Sequence, residues 1–415
     1  MNCLKNISII FLLSSFLFSF IISCDSTDPK PPEKPPGYQE DIPWPSLGNS
    51  PNPIVHGNPQ FTSRYSFPGP QFGQLVWKYS FETNQPSNDS FSSPIIKDSL
   101  VIFVSYGHTG DTHSYLIALN IVSGALVWKF PLSGIKNTAP PIAVKTGIIY
   151  TADWAGNLYA VNMLGQLIWQ KTLPSPITNV MNIDTYGNLY AFCQNGIVYS
   201  FDQIGSQRWT KDLIEDFGSS SSAIVFSPKG DKMFITGKKL TALSVDGEIL
   251  WSLFDEDLNS ILPSNIKSNT WWGHPVVDND ENIYLFGGFV KISGDGTQIT
   301  NLTTDPVSNI DPTIDKSGNV YVGLDSGEIL SINHDGNTNW RINFNIQDAT
   351  SIICDNNSNI YFVSKDEYVN SIDNDGNILW RYYLEGRSYY SPALSNGFMF
   401  LSSVGENGKL FLCIK

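Results

Sequence analysis

Two of the five histidines in this chain share one string with a carboxylate, since "SYGHTGDTHSY" carries His108, Asp111 and His113. Two imidazoles and a carboxylate are a donor set for a divalent ion. Loop spacing holds them in no defined geometry, so a hydrated loop is expected there and no metal site. A second group lies in the long link "DEDLNSILPSNIKSNTWWGHP", where the adjacent rings of Trp271 and Trp272 are followed by His274. Asp311 occupies the corresponding place one unit further along. His274 and Asp311 are therefore expected near each other on one rim, as hydrated polar groups with no catalytic role. A third group, "LEGRSYYSP", brings Arg387, Tyr389 and Tyr390 together. Exposed rings of this kind either stack on sugar faces or pack against loops.

These groups are positioned by a repeat. Gly-x-x-x-Trp recurs at Trp77, Trp128, Trp169, Trp209, Trp251, Trp340 and Trp380, and four of the six intervals are 40 to 42 residues. One interval is 51 residues, lengthened by the His108 string, and one is 89, about two periods. The double interval hides a degenerate copy, "NIYLFGGFVKISGDGTQIT", with Thr300 where the tryptophan would fall. Upstream of the motif run strings such as "NLYAVN" and "EILSIN", then "GIIYTAD" and "GNVYVGL", then "SSPII" and "DPTID". Each unit thus carries four short strands, because β-branched and aromatic residues alternate with a period near two. "VDGE", "GDGT", "HDGN" and "NDGN" separate the last two strands, and an Asp-Gly pair lets both central residues take the positive φ of a tight hairpin turn. "DNDGN" has Ile378 where a calcium loop of the EF-hand type needs glycine, so it reads as a turn.

Eight such units predict an all-β fold, an eight-bladed β-propeller of four-stranded antiparallel blades. The last unit ends at "KLFLCIK" without its Gly-x-x-x-Trp strand, whereas "GQLVWKYS" arrives before any complete unit. The N-terminal strand is therefore expected to complete the C-terminal blade and close the ring. The propeller should span 73–415, preceded by an N-terminal arm over 43–72.

With 41% hydrophobic residues the chain can bury a large core, and a net charge of −14 without any basic stripe excludes a nucleic-acid surface. Residues 1–23 read as an export signal, with Lys5 ahead of an apolar run. "IISC" resembles a bacterial lipobox, which implies lipidation at Cys24 and a protein tethered to a membrane. The proline-rich stretch 24–42 reads as a flexible tether. Cys193, Cys354 and Cys413 lie in apolar runs without C-x-x-C spacing and are expected to be buried thiols.

The Gly-x-x-x-Trp ending after "LYAV"-like strings resembles the quinoprotein-like (PQQ-like) propeller repeat over Trp44 to Lys415, and "PWPSLGNSPNPIVHGNPQFTSRYSFPGP" is similar to the leader that precedes such propellers. The resemblance implies that each motif tryptophan packs on the neighbouring blade, with a looser contact at Thr300. Signal type, repeat number and length are similar to the assembly lipoproteins of the β-barrel insertion machinery. That implies a non-catalytic, monomeric scaffold of the cell envelope at the outer membrane, with a protein partner and no cofactor. Two alternatives stay open: a dehydrogenase using pyrroloquinoline quinone and calcium, which in that family needs a vicinal disulfide absent here, or a carbohydrate- or small-ligand-binding propeller.

Overall fold

The computed structural model describes residues 33–81, 91–106, 114–134, 139–177, 180–213, 223–237, 239–254, 274–285, 289–308, 310–346, 351–405 and 408–415. Cys24, His108, Asp111, His113, Trp271 and Trp272 lie outside the described residues. The chain divides into two units, Met1–Pro35 and Pro36–Lys415, and every strand described belongs to the second.

The described strands form eight four-stranded antiparallel sheets, the blades of a β-propeller, each running in sequence order from the innermost strand outward. Blade one, for example, consists of Ile95–Lys97, Leu100–Ser105, Ser114–Asn120 and Leu126–Leu132. The middle strands are buried on both faces, as Val-, Ile- and Tyr-rich sequences allow. No helix occurs among the described residues, so none is long and apolar enough to cross a membrane. Blade eight is the exception to sequence order. Its outer strand is Leu75–Ser80, which pairs antiparallel with Gly408–Ile414 so that Trp77 faces Cys413 and Tyr79 faces Phe411. The expected closure by an N-terminal strand is therefore present. The three cysteines beyond residue 32 are buried and free.

Neighbouring blades are joined by the two ends of the repeat motif acting across the boundary. Trp77 donates its indole N–H to the Ile121 carbonyl of blade one at 3.1 Å, Trp128 to Met163 at 2.9 Å, and Trp209 to Val245 at 3.0 Å. Trp169, Trp251 and Trp340 reach Gln203, Gly294 and Asn374 in the same way. Trp380 donates to Pro70, just before the closing strand. The ring lies on the motif glycine of the next blade: a methyl group on Gly124 would sit 2.5 Å from Trp77 Cε3, and one on Gly73 equally close to Trp380. Both glycines have positive φ, so the position demands glycine for its backbone as well as for the ring above it.

Each tryptophan-bearing strand also carries a β-bulge at the residue just before the tryptophan, as where Leu126 faces Leu119 while Trp128 faces Ala118. The Thr300 strand, Ile299–Asn301, pairs without a bulge. There a methyl group added to the next glycine, Gly336, would meet only Leu302, at 3.4 Å.

Buried carboxylates recur for a structural reason. In the strings beginning at Asp184, Asp278, Asp315 and Asp355, one carboxylate oxygen accepts backbone N–H groups two and four residues on. The other oxygen accepts an Asn amide and a Tyr hydroxyl, the latter at 2.9 to 3.0 Å. Burial, reinforced by the carboxylate, pushes the Tyr190, Tyr321 and Tyr361 hydroxyls well above their ordinary range. They remain donors that lock the hairpin between the first and second strands.

The arm occupies the axis. Its carbonyls accept backbone N–H groups from the innermost strands of blade after blade: Asn52 from Ile96, Pro53 from Ala143, Pro59 from Phe226, Gln60 from Val277, Thr62 from Ile314 and Ser63 from Cys354. Blade three is reached by side chains, Trp44 donating to Ile183 and Asn182 to Pro59, and blade eight through Gly397 and Pro68. Docking starts earlier than Pro43: Gln39 accepts from Asn279 and donates its backbone N–H to Lys316, within the stretch 24–42 read as tether.

Candidate functional site

The arm meets the C-terminal ends of the innermost strands, whereas His274 and Asp311 precede the innermost strands Val276–Val277 and Thr313–Ile314. One arm side chain, His56, meets both of them. His56 Nε2 lies 3.5 Å from Asp311 Oδ2 and 3.3 Å from His274 Nδ1, and His274 Nδ1 lies 3.4 Å from Asp311 Oδ2. The three polar atoms thus form a nearly equilateral triangle.

Each member is oriented by a further contact. His56 Nδ1 pairs with Ser63 Oγ at 2.9 Å, within the arm's own turn. Asp311 Oδ1 accepts the His274 backbone N–H, and Ser351 Oγ of the next blade donates to Asp311 Oδ2 at 3.1 Å. Phe61 packs its ring against both imidazoles, at 5.0 Å from His56 and 5.9 Å from His274. His56 is buried, while the His274 and Asp311 side chains keep 24% and 19% of their exposure, so the triangle opens on the side away from the arm.

Burial lowers His56 to about 4, against the pull of Asp311 and with help from His274, so this imidazole is neutral at neutral pH. Burial also acts to lower His274, but the charge and hydrogen bond of Asp311 outweigh it and the net shift is upward. For Asp311 burial alone would raise the carboxyl; the charge and hydrogen bond of His274 prevail and hold it well below the usual range. The arrangement can share a proton between His274 and Asp311, or present two nitrogens and one oxygen to a cation.

Of the residues singled out in the sequence, the structure brings together His274 and Asp311. Arg387 and Tyr389 are exposed at the entrance to blade eight, where Arg387 forms a backbone bridge to Val404. Tyr390 is half-buried and packs edge-on against Tyr106 at 6.2 Å. His56 was missed, although it stands in the leader string; its signal was a histidine between turn residues in a segment without the repeat. The arm also lines a half-open cleft of about 370 Å³ with Asp41, Trp44, Asn58 and Arg64. The Arg64 guanidinium there donates to the Glu40 carbonyl and pairs with Asp41.

The fold defines a propeller of PQQ-like repeats. The chain belongs to the family described as outer membrane protein assembly factor BamB, which matches residues 112–330, just over half its length. Among solved structures it is similar to BamB from Moraxella catarrhalis, with 14% identity, a TM-score of 0.57, and coverage of 82% of this chain and 97% of that one. It is also similar to quinohemoprotein alcohol dehydrogenase from Comamonas testosteroni, with 11% identity, a TM-score of 0.67, and coverage of 88% and 80%. The quinohemoprotein alcohol dehydrogenase ADHIIG from Pseudomonas putida HK5 is similar at 12% identity, a TM-score of 0.66, and coverage of 91% and 83%. At these identities the likenesses show the fold alone. No curated protein matches the chain.

The residues here do not fit a quinone held against a vicinal disulfide. No two cysteines are adjacent in the sequence, and the arm's own backbone accepts inner-strand N–H groups from six of the eight blades.

Proposed function

We propose that this protein is a non-catalytic docking platform of the cell envelope, lipid-tethered through Cys24, which holds protein partners of outer-membrane assembly on its outer rim. A run of aliphatic pairs on that rim carries the reading. Blades seven, eight, one and two are consecutive, and each outer strand there opens with two aliphatic residues that are 40 to 55% exposed: Ile378 and Leu379, Leu75 and Val76, Leu126 and Val127, Leu167 and Ile168. The same positions are Gln207 and Arg208 in blade three and Thr338 and Asn339 in blade six, while Ile249 and Leu250 of blade four stand apart from the run. An outer strand has one unpaired backbone edge. With aliphatic side chains beside it, that edge suits an extended segment added as a further strand. Membership of the BamB family supports the envelope and the assembly partner.

A photo-crosslinking residue at Val127 or Ile168, in the native envelope, is expected to capture an outer-membrane-assembly protein, and the same residue at Asn339 is not. Equal capture at all three positions, or none, contradicts docking on this sector. Dye-linked alcohol oxidation by purified protein supplied with pyrroloquinoline quinone and calcium would overturn the non-catalytic reading.

A further inference from the structure

The triangle of His56, His274 and Asp311 has edges of 3.3, 3.4 and 3.5 Å. A point equidistant from its three corners lies about 2.0 Å from each, which is the bond length of a zinc-type ion to imidazole nitrogen or carboxylate oxygen. Four-coordinate ligands at that distance are separated by about 3.3 Å, so the side chains need almost no movement to accept an ion. We propose that His56, His274 and Asp311 form a divalent transition-metal site that staples the N-terminal arm to blades five and six.

Four further features support it. Two imidazole nitrogens and one carboxylate oxygen are the donors that zinc-like ions favour over calcium or magnesium. Ser63 Oγ engages His56 Nδ1, and with that nitrogen donating to the hydroxyl Nε2 carries the lone pair, the outer-shell arrangement common to metal-bound histidines. The His274 backbone N–H holds the carboxylate through Oδ1, the oxygen away from the triangle, and Ser351 Oγ donates to the corner oxygen Oδ2 itself, which keeps a second lone pair for an ion. The partial exposure of His274 and Asp311 leaves a fourth position, toward the open end of the channel, for water or a partner's side chain. The sequence reading of His274 and Asp311 as hydrated rim residues lacked this donor from the arm. The metal site is independent of the docking role of the outer rim.

The test uses the purified full chain, stripped by a chelator and titrated with zinc chloride by calorimetry and with cobalt chloride by visible absorption. One ion per chain is expected, with the cobalt bands of a four-coordinate site and a higher Tm than in chelator. His274→Ala and Asp311→Asn should weaken binding by more than about 100-fold, and Ser63→Ala by about 10- to 100-fold. Circular dichroism identifies any variant that fails to fold, and the near-isosteric Asp311→Asn guards against that outcome. Paired His108→Ala and His113→Ala substitutions should leave binding intact. No saturable one-to-one binding would reduce the triangle to a hydrogen-bonded cluster and overturn the proposal. Binding that survives Asp311→Asn and His274→Ala, or that disappears with the His108 and His113 pair, would overturn it equally.

Discussion

The perimeter and the axis of this propeller are held by opposite means. Around the perimeter one device is repeated, an indole ring laid on the next blade's glycine with its N–H on a neighbouring carbonyl. Along the axis a single segment without internal repetition accepts backbone N–H groups from seven blades on its carbonyls and meets blade three through side chains. A repeated joint spreads the stabilisation evenly and leaves no position chemically special. The arm breaks that symmetry, and the one cluster of mixed ligand chemistry among the described residues forms where its His56 meets two blades.

The largest effect should come from opening the perimeter. Deleting Leu75–Ser80 removes the outer strand of blade eight and exposes the edge of Gly408–Ile414. Thermal unfolding should show a Tm loss greater than for any single substitution, and an unchanged Tm would contradict the strand's role as the ring's closure. Next, Trp380→Ala removes a buried joint and should cost about 3–5 kcal/mol in denaturant unfolding. Leu302→Ala, at the joint that lacks a tryptophan, should cost only about 1–2 kcal/mol. Equal costs would mean that the degenerate joint is as strong as the others.

A finer comparison uses the glycines. Gly124 and Gly336 both have positive φ, so alanine carries similar backbone strain at each, but only at Gly124 does the methyl meet an indole. Gly124→Ala should therefore be the more destabilising by about 1–3 kcal/mol, which chemical denaturation can resolve. The smallest effect belongs to the axis. Trp44→Phe keeps an aromatic ring but loses the indole N–H and its hydrogen bond to the Ile183 carbonyl, and should cost about 1 kcal/mol. A much larger loss would indicate that the arm closes the fold cooperatively with the blades.

The repeat made the perimeter legible in advance. The spacing of Trp128, Trp169, Trp209 and Trp251 set the blade length, the Asp-Gly pairs marked hairpins, although only the glycine of each pair takes positive φ, and the missing last strand identified Leu75–Ser80 as its replacement. These features depend on local chemistry: alternation, turn propensity and a motif seen many times in register. The bulge before each tryptophan, and its loss at Thr300, were not legible, because a bulge is a property of the pair of strands. The candidate site was half legible. His274 and Asp311 could be placed together because equivalent positions of adjacent blades are neighbours.

His56 could not be placed, since it belongs to no repeat and meets His274 across 218 residues of chain. By itself, then, the sequence determined the blade number, the strand order and the closure of the ring, all consequences of short-range patterns repeated eight times. Only the tertiary structure decided where the arm runs and which side chain it carries to the rim, because that path depends on hydrogen bonds to eight separate blades at once.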